Sequence, residues 1–176
     1  DQMSEGMKHF GFGRRQGRDI QGDLPGILPS RDWKRAVRNE SWYLGETVIS
    51  GIGQGFWVTT PLQLAAATTA TARRGNFIEP HFSVLEDVDA GAPVPLGTSI
   101  DWERMIDAME GVLHGETGTA RGAARGLNYR IAGKTGTAYL MGPGGYDKHR
   151  FVASFVGFAP VSNPRLVVAV GGKKMR

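Results

Sequence analysis

The chain has 176 residues, with 21 lysines and arginines against 17 aspartates and glutamates, so its formal net charge is +4. Because this excess is small and the basic residues are scattered, the composition gives no support for a nucleic-acid partner. The absence of cysteine excludes disulfides and thiolate chemistry. No apolar run is long enough for a transmembrane helix, and any anchor is expected to lie outside these residues.

The first quarter of the chain is predicted to contain two short helices. An amphipathic helix is expected over residues 1–10, with Gly11 as its left-handed cap. Ser30 at an N-cap position predicts a second helix over residues 31–38, with Trp33 and Val37 facing inward.

Two short segments follow that second helix. Residues 47–50, Thr-Val-Ile-Ser, are predicted to be extended. Residues 51–55, Gly-Ile-Gly-Gln-Gly, are predicted to form a tight turn. They do not match the dinucleotide-binding pattern G-x-G-x-x-G, because the third glycine comes one position early.

Two longer helices are predicted in the middle of the chain. Thr60-Pro61-Leu62-Gln63 combines a cap, a proline at the first helical position and a capping-box glutamine, which predicts a helix over 61–74. The second, over 100–113, has apolar residues recurring every three or four positions, with Thr98 or Ser99 as its cap and His114 at its end. A strand is expected at 81–85, between these helices.

The last third of the chain predicts an antiparallel meander. A loop at 115–126 leads into a strand over 129–139, and strands at 151–158 and 165–170 follow across two turns. The strand at 151–158 is apolar on both alternating faces, which is typical of a sheet covered on both sides. The predicted fold class is α+β, an antiparallel sheet with helices on both faces, incomplete at both ends.

The stretch 131–139, Ile-Ala-Gly-Lys-Thr-Gly-Thr-Ala-Tyr, combines apolar flanks with a charged and hydroxylated centre. Lys134 is followed by two hydroxyls, those of Thr135 and Thr137, and Gly136 lies between them. A strand of this kind can accept an extended peptide on its edge by main-chain pairing and hold the peptide's charged end.

Two alternatives exist for this stretch. Gly-Lys-Thr also ends a phosphate-binding P-loop, G-x-x-x-x-G-K-[ST]. The first glycine of that pattern falls on Asn128, however, and residues 137–141 lead into a Gly-Pro-Gly-Gly turn, whereas a P-loop must open a helix. The other alternative is a buried strand with a solvated lysine, because a three-residue motif recurs by chance.

Motifs along nearly the whole chain are similar to those of one family. The triplet K-T-G, with S-x-x-K and S-D-N, is a signature of penicillin-binding proteins. The sequence resembles the penicillin-binding protein 2 family, the elongation-type class B D,D-transpeptidases, at residues 10–13, 28–34, 42–43, 45–47, 51–55, 60–65, 109–112, 118–120, 133–138 and 158–160. The tail at 149–170 is closer to the division-type relatives. The resemblance implies that residues 1–176 are the C-terminal part of a single penicillin-binding, serine-transpeptidase-like domain.

The resemblance assigns roles to four residues of the K-T-G stretch. Lys134 is expected to attract the terminal carboxylate of a D-Ala-D-Ala stem peptide and to help proton movement, and the Thr135 and Thr137 hydroxyls to bind that carboxylate. Gly136 is expected to leave room for the peptide along the strand. The backbone N–H of Thr137 is expected to be an oxyanion-hole donor, so Lys134 and Thr137 are the catalytic candidates.

One departure from the family pattern is serious. The sequence contains neither S-x-x-K nor S-x-N, and Ser4 and Ser30 each precede a lysine by four positions instead of three. The chain alone is therefore expected to be inactive, with its serine located upstream or on a companion chain. A non-catalytic scaffold module with the same fold is the alternative.

The resemblance also implies partners and a location. These are the peptidoglycan stem peptide, β-lactams that mimic it, and a glycosyltransferase and other elongation-machinery partners of the full-length protein. The implied location is the periplasmic face of the bacterial cytoplasmic membrane. No metal or cofactor is expected.

Overall fold

The computed structural model of the protein describes residues 2–17, 19–83, 92–94, 101–142 and 145–174. The helices are α1 (Gln2–Lys8), α2 (Arg31–Arg38), α3 (Leu44–Gly51), α4 (Pro61–Ala72) and α5 (Trp102–His114), with a 3-10 turn at Arg121–Ala124. The strands are β1 (Asn76–Phe77), β2 (Ala92–Pro93), β3 (Ala132–Gly142), β4 (Gly145–Ala159) and β5 (Leu166–Lys174). The predicted α+β class is confirmed. No helix in the described part of the chain is long and apolar enough to cross a membrane.

Helices α2 and α3 are joined by a buried lysine. Lys34 is 1% exposed, and its Nζ donates to the carbonyl of Ser41 at 2.8 Å and to Glu46 Oε1 at 2.6 Å. Burial opposes ionisation of Glu46, but hydrogen bonds from Lys34 and the Tyr43 backbone N–H outweigh it and hold the pKa of Glu46 below its ordinary value. The ion pair therefore stabilises the fold above the ordinary glutamate pKa, and that stabilisation is lost as the pH falls through the lowered pKa.

The prediction of an extended segment at 47–50 is wrong, because these residues belong to α3. Glu46 Oε2 accepts a hydrogen bond from the Tyr43 backbone N–H at 2.7 Å, which satisfies one of the free donors at the start of the helix. Val37 is also not inward, since it is 65% exposed. Trp33 does pack inward, with its ring centroid 5.3 Å from that of Phe56.

Helix α4 begins where its capping box predicts. The Thr60 hydroxyl accepts from the Gln63 N–H at 3.1 Å, and Gln63 Oε1 accepts from the Thr60 N–H at 3.0 Å. The helix ends at Ala72, two residues before the predicted end. Gln63 is fully buried and its Nε2 also donates to the carbonyls of Arg14 and Pro25, so this cap fastens the N-terminal loop to the helix.

Helix α5 and the segment before it differ from prediction at their boundaries. The cap of α5 is Asp101, whose carboxylate accepts from the Arg104 N–H at 2.9 Å. The predicted caps Thr98 and Ser99 lie outside the described residues. The predicted strand at 81–85 is absent over 81–83, and residues 84 and 85 also lie outside the described part.

The predicted meander is confirmed as an antiparallel sheet in the order β3–β4–β5. The register pairs Gly133 with Gly157 and Gly136 with Ser154 across β3 and β4. Strand β4 therefore lies in the centre, and within the described residues β3 is an edge strand.

The described helices cover one face of this sheet. Phe158 of β4 packs with Ile106 of α5 and Ala72 of α4, and all three are at most 3% exposed. The opposite face carries Val168 and Val170, which are 46% and 57% exposed. The sequence predicts helices on both faces, and among the described residues α4 and α5 supply the cover on one of them.

Candidate functional site

The open edge of β3 presents two residues whose backbone groups do not pair with β4. The carbonyl of Thr137 accepts from the Gln54 side chain at 2.8 Å, and the carbonyl of Thr135 accepts from Lys134 Nζ at 2.6 Å. In an antiparallel pair the N–H and C=O of one residue point to the same side of the strand, and successive residues alternate. The backbone N–H groups of Thr135 and Thr137 therefore also face the open edge.

Lys134 lies on this edge with its side chain exposed. Because successive residues alternate and Thr135 points outward, the Lys134 backbone points toward Val156 of β4, while its ammonium reaches the outward carbonyl of Thr135. This places a positive charge directly beside the free edge, where an anionic group of a docked peptide would be attracted.

The Thr135 hydroxyl contacts a second hydroxyl from the loop that precedes the strand. Thr119 Oγ1 lies 3.0 Å from Thr135 Oγ1. That loop is fixed to the end of α5, because the Gly118 N–H donates to the Gly115 carbonyl at 3.1 Å and the Ala120 N–H donates to the Val112 carbonyl at 3.0 Å. The loop thus contributes a third hydroxyl to the edge.

Strand β3 is fixed at its start by contacts to α5. His114 Nε2 accepts from the Ile131 backbone N–H at 3.1 Å, and Arg130 forms an ion pair with Glu110. His114 is the last residue of α5, as the sequence predicts, and here it holds the segment that leads into β3. These two contacts therefore fix the position of the start of β3 relative to α5.

A single aromatic ring covers the backbone next to Lys134. A Cβ at Gly133 would lie 2.6 Å from Phe155 Cζ, and a Cβ at Gly157 would lie 2.9 Å from the same atom. The ring of Phe155 thus rests on a cross-strand pair of glycines, a device that compensates for the missing side chains and fixes the register.

The space above Gly136 is partly filled by the protein itself. A Cβ at this position would lie 2.5 Å from Ser154 Oγ, the hydroxyl of its partner on β4. The glycine was predicted to leave room for a peptide, and the structure adds a second reason for it, which is close packing against Ser154.

We expect Gly136→Ala to displace the Ser154 hydroxyl from its place beside β3, and Ser154→Ala to relieve this contact, because the Ser154 Cβ is at an ordinary 3.9 Å. The measurement is the rate of labelling of the full-length protein by a fluorescent penicillin in the single variants and the double variant. Recovery of labelling in the double variant would show that Gly136 is needed for packing against Ser154. Continued loss of labelling in a folded double variant would show that Gly136 is needed to leave room for the peptide.

A groove of about 490 Å³ lies against the sheet and reaches this edge. It is lined by Gly136 of β3 and Ser154 of β4, and by Met7 of α1 and Leu64 of α4. Gln54, which also lines the groove, donates to the Thr137 carbonyl. The site therefore joins an apolar groove to a polar, positively charged strand edge.

Sequence reasoning named the four residues of the K-T-G stretch, which the structure places together on β3, but gave no role to Gln54, Thr119 and Ser154. Gln54 belongs to the predicted turn at 51–55, which was given no role; Gly51 ends α3, and the turn follows it. The position of Gly-Lys-Thr inside β3, and not at the start of a helix, removes the P-loop alternative. No cluster of metal-ligating side chains is found among the residues that the structure describes.

This combination of antiparallel sheet, edge strand and K-T-G stretch agrees with comparisons to known proteins. The chain belongs to the family described as the penicillin binding protein transpeptidase domain, whose model matches residues 1–174. It is 37% identical to the peptidoglycan D,D-transpeptidase MrdA of Acinetobacter baumannii, over 97% of this chain and 28% of that protein.

Two solved structures show the same fold. The chain matches PBP2 of Pseudomonas aeruginosa, solved in complex with WCK 5153, with a TM-score of 0.85 and 39% identity over 99% of this chain and 38% of that one. It matches PBP2 of Helicobacter pylori, solved in complex with MreC, with a TM-score of 0.82 and 30% identity over 96% of this chain and 31% of that one. The chain thus spans less than two fifths of the length of these relatives.

Proposed function

We propose that this chain is the K-T-G-bearing part of a serine D,D-transpeptidase that cross-links peptidoglycan in cell-wall elongation. The observation that carries the proposal is the open edge of β3, where Thr135 and Thr137 turn their backbone N–H and C=O groups outward beside the Lys134 ammonium. An extended peptide with a terminal carboxylate is complementary to such an edge, because it can pair with the main chain while its charge lies near the lysine.

The reaction is an acyl transfer in two steps. A serine Oγ attacks the carbonyl carbon between the two D-alanines, the C–N bond breaks, and the terminal D-alanine leaves as an amine after taking up a proton. An amine of a neighbouring stem peptide then attacks the serine ester, forms a new amide bond and releases the serine. Both steps pass through a tetrahedral intermediate whose oxygen carries negative charge.

The residues of β3 serve these steps by binding and by electrostatics. The Lys134 ammonium attracts the terminal carboxylate and helps proton movement, and the Thr135 and Thr137 hydroxyls hold that carboxylate. The Thr137 N–H, which faces the open edge, stabilises the oxyanion. Such donors matter because they are already aimed at the charge that develops in the transition state.

The proposal extends to ligands, partners and location. β-Lactams would acylate the same serine because they mimic the D-Ala-D-Ala end. The H. pylori relative was solved as a complex with MreC, which supports a place in a multiprotein assembly for the full-length protein. A glycosyltransferase partner and a location at the periplasmic face of the cytoplasmic membrane, which the sequence resemblance implies, are part of the proposal.

The nucleophile is proposed to lie outside residues 1–176, because the chain lacks S-x-x-K. Treatment of the full-length protein with penicillin, followed by digestion and mass spectrometry, is expected to locate the acyl adduct on a serine of an S-x-x-K sequence outside this chain. An adduct on a serine within residues 1–176 would contradict this placement. A full-length protein that forms no adduct would favour the scaffold alternative instead.

A further inference from the structure

The Gln54 side chain donates a hydrogen bond to a backbone carbonyl at the open edge of β3. A substrate that pairs with this edge would need the same carbonyl as its acceptor. The Gln54 Nε2 donates to the Thr137 carbonyl at 2.8 Å, across 83 positions of sequence. That carbonyl faces the open edge of β3, on the same side as the Thr137 N–H. The side chain thus comes from a different part of the fold to cap the strand where an incoming strand would pair.

The turn that carries Gln54 is attached to α3 by backbone hydrogen bonds. The Gln54 N–H donates to the Ile49 carbonyl at 3.1 Å, and the Gly53 N–H donates to the Ser50 carbonyl at 3.0 Å. The flanking Gly53 and Gly55 have φ angles of +74° and +81°, a conformation that side-chain-bearing residues rarely adopt. The Gln54 side chain can therefore leave the strand without breaking the backbone hydrogen bonds that hold the turn to α3.

The carboxamide of glutamine offers the same kind of donor as a peptide N–H. An extended peptide docked on β3 would run about 4.7–4.9 Å from it and would donate its own N–H to the outward carbonyl of Thr137. The Gln54 nitrogen lies inside that spacing. An unpaired strand edge also invites unwanted pairing, and a side-chain cap on its carbonyl reduces that risk.

We propose that the Gln54 side chain is a displaceable substitute for the substrate's backbone N–H, so that the donor peptide must replace it at the Thr137 carbonyl before acylation. Gln54 is then a residue that sets affinity for the donor strand and contributes little to the chemical step. This inference rests on the proposed function of the same edge.

The test separates binding from chemistry in the full-length protein. Stopped-flow acylation by a penicillin gives the dissociation constant of the non-covalent complex and the first-order acylation rate. Because Gln54→Met keeps a long side chain but removes the donor, we expect about two- to tenfold tighter non-covalent binding. The acylation rate is expected to change by less than about threefold.

The matched control is Gln21→Met, which changes an exposed glutamine in a loop and should alter neither constant. Unchanged or weaker binding in Gln54→Met, or a tenfold or larger loss in the acylation rate, would overturn the displacement proposal. If Gln54→Met does not fold, Gln54→Leu is measured with the same criteria. A wild-type protein that is never acylated would instead refute the proposed function.

Discussion

Replacing Lys134 with alanine is expected to slow acylation of the full-length protein by a fluorescent penicillin about 100-fold or more. The ammonium lies on the exposed edge of β3, 2.6 Å from the Thr135 carbonyl, where it can attract a ligand carboxylate. Without it the carboxylate loses its counter-charge at a site shielded from water by the docked ligand. The measurement is the second-order rate constant of labelling, followed by gel fluorescence.

Lys173→Ala is the matched control for this prediction. Lys173 is an exposed lysine of the same sheet, on the far strand β5 opposite Val152, and it should be replaceable without effect. Lys134→Arg keeps the charge and should recover part of the rate. Labelling of Lys134→Ala at the wild-type rate would remove the electrostatic basis of the proposed function.

Replacing Thr137 with proline is expected to slow acylation by about 10²- to 10³-fold, which is the cost of losing one oxyanion-hole donor. Proline has no N–H and is tolerated on an edge strand where the N–H points away from the ladder. The Thr137 N–H faces the open edge, so the substitution removes the proposed donor and no bond between β3 and β4.

Two variants control for the other effects of this change. Thr137→Val removes the hydroxyl and keeps the N–H, so the difference between the valine and proline variants reports the backbone donor. Tyr139→Pro removes the next outward N–H of the edge and should leave labelling unaffected, with circular dichroism to verify folding. A folded Thr137→Pro protein that is labelled as fast as Thr137→Val would exclude the backbone N–H from the oxyanion hole.

Short sequence patterns were sufficient to predict those helices and strands whose bounds depend on residues close together in the sequence. The capping box at 60–63 predicted the start of α4 because all its hydrogen bonds lie within one turn. The three strands of the meander were found because turns of glycine and proline separate them. Their bounds were less accurate, since β4 begins at Gly145 through pairing with β3, and β5 extends to Lys174 through pairing with β4.

The error at α3 has a tertiary cause. A run of Thr-Val-Ile has a weak preference for strand, and tertiary contacts commonly override such preferences. Here Glu46 accepts from the Tyr43 N–H and from the buried Lys34, which lies 12 positions earlier in the sequence. A tyrosine at the cap position does not match the usual capping signal, so the helix start could not be recognised from sequence.

Only part of the candidate site could be predicted from the sequence, because the rest also depends on tertiary contacts. Lys134 to Thr137 are contiguous, so one strand pattern was enough to find them. Gln54 comes from a turn 83 positions away, and Ser154 reaches the site only through the register of β3 and β4. Neither contact produces a recognisable pattern or motif in the sequence, because both depend on how elements distant in the sequence pack together.

The ring of Phe155 that rests on Gly133 and Gly157 constrains the strand next to Lys134. Because both glycines lack a Cβ, the ring lies directly over their backbone, and a smaller residue at 155 would leave the backbone beside Lys134 less constrained. Under the proposed function, a change at residue 155 is therefore expected to slow penicillin labelling without altering any residue of the K-T-G stretch.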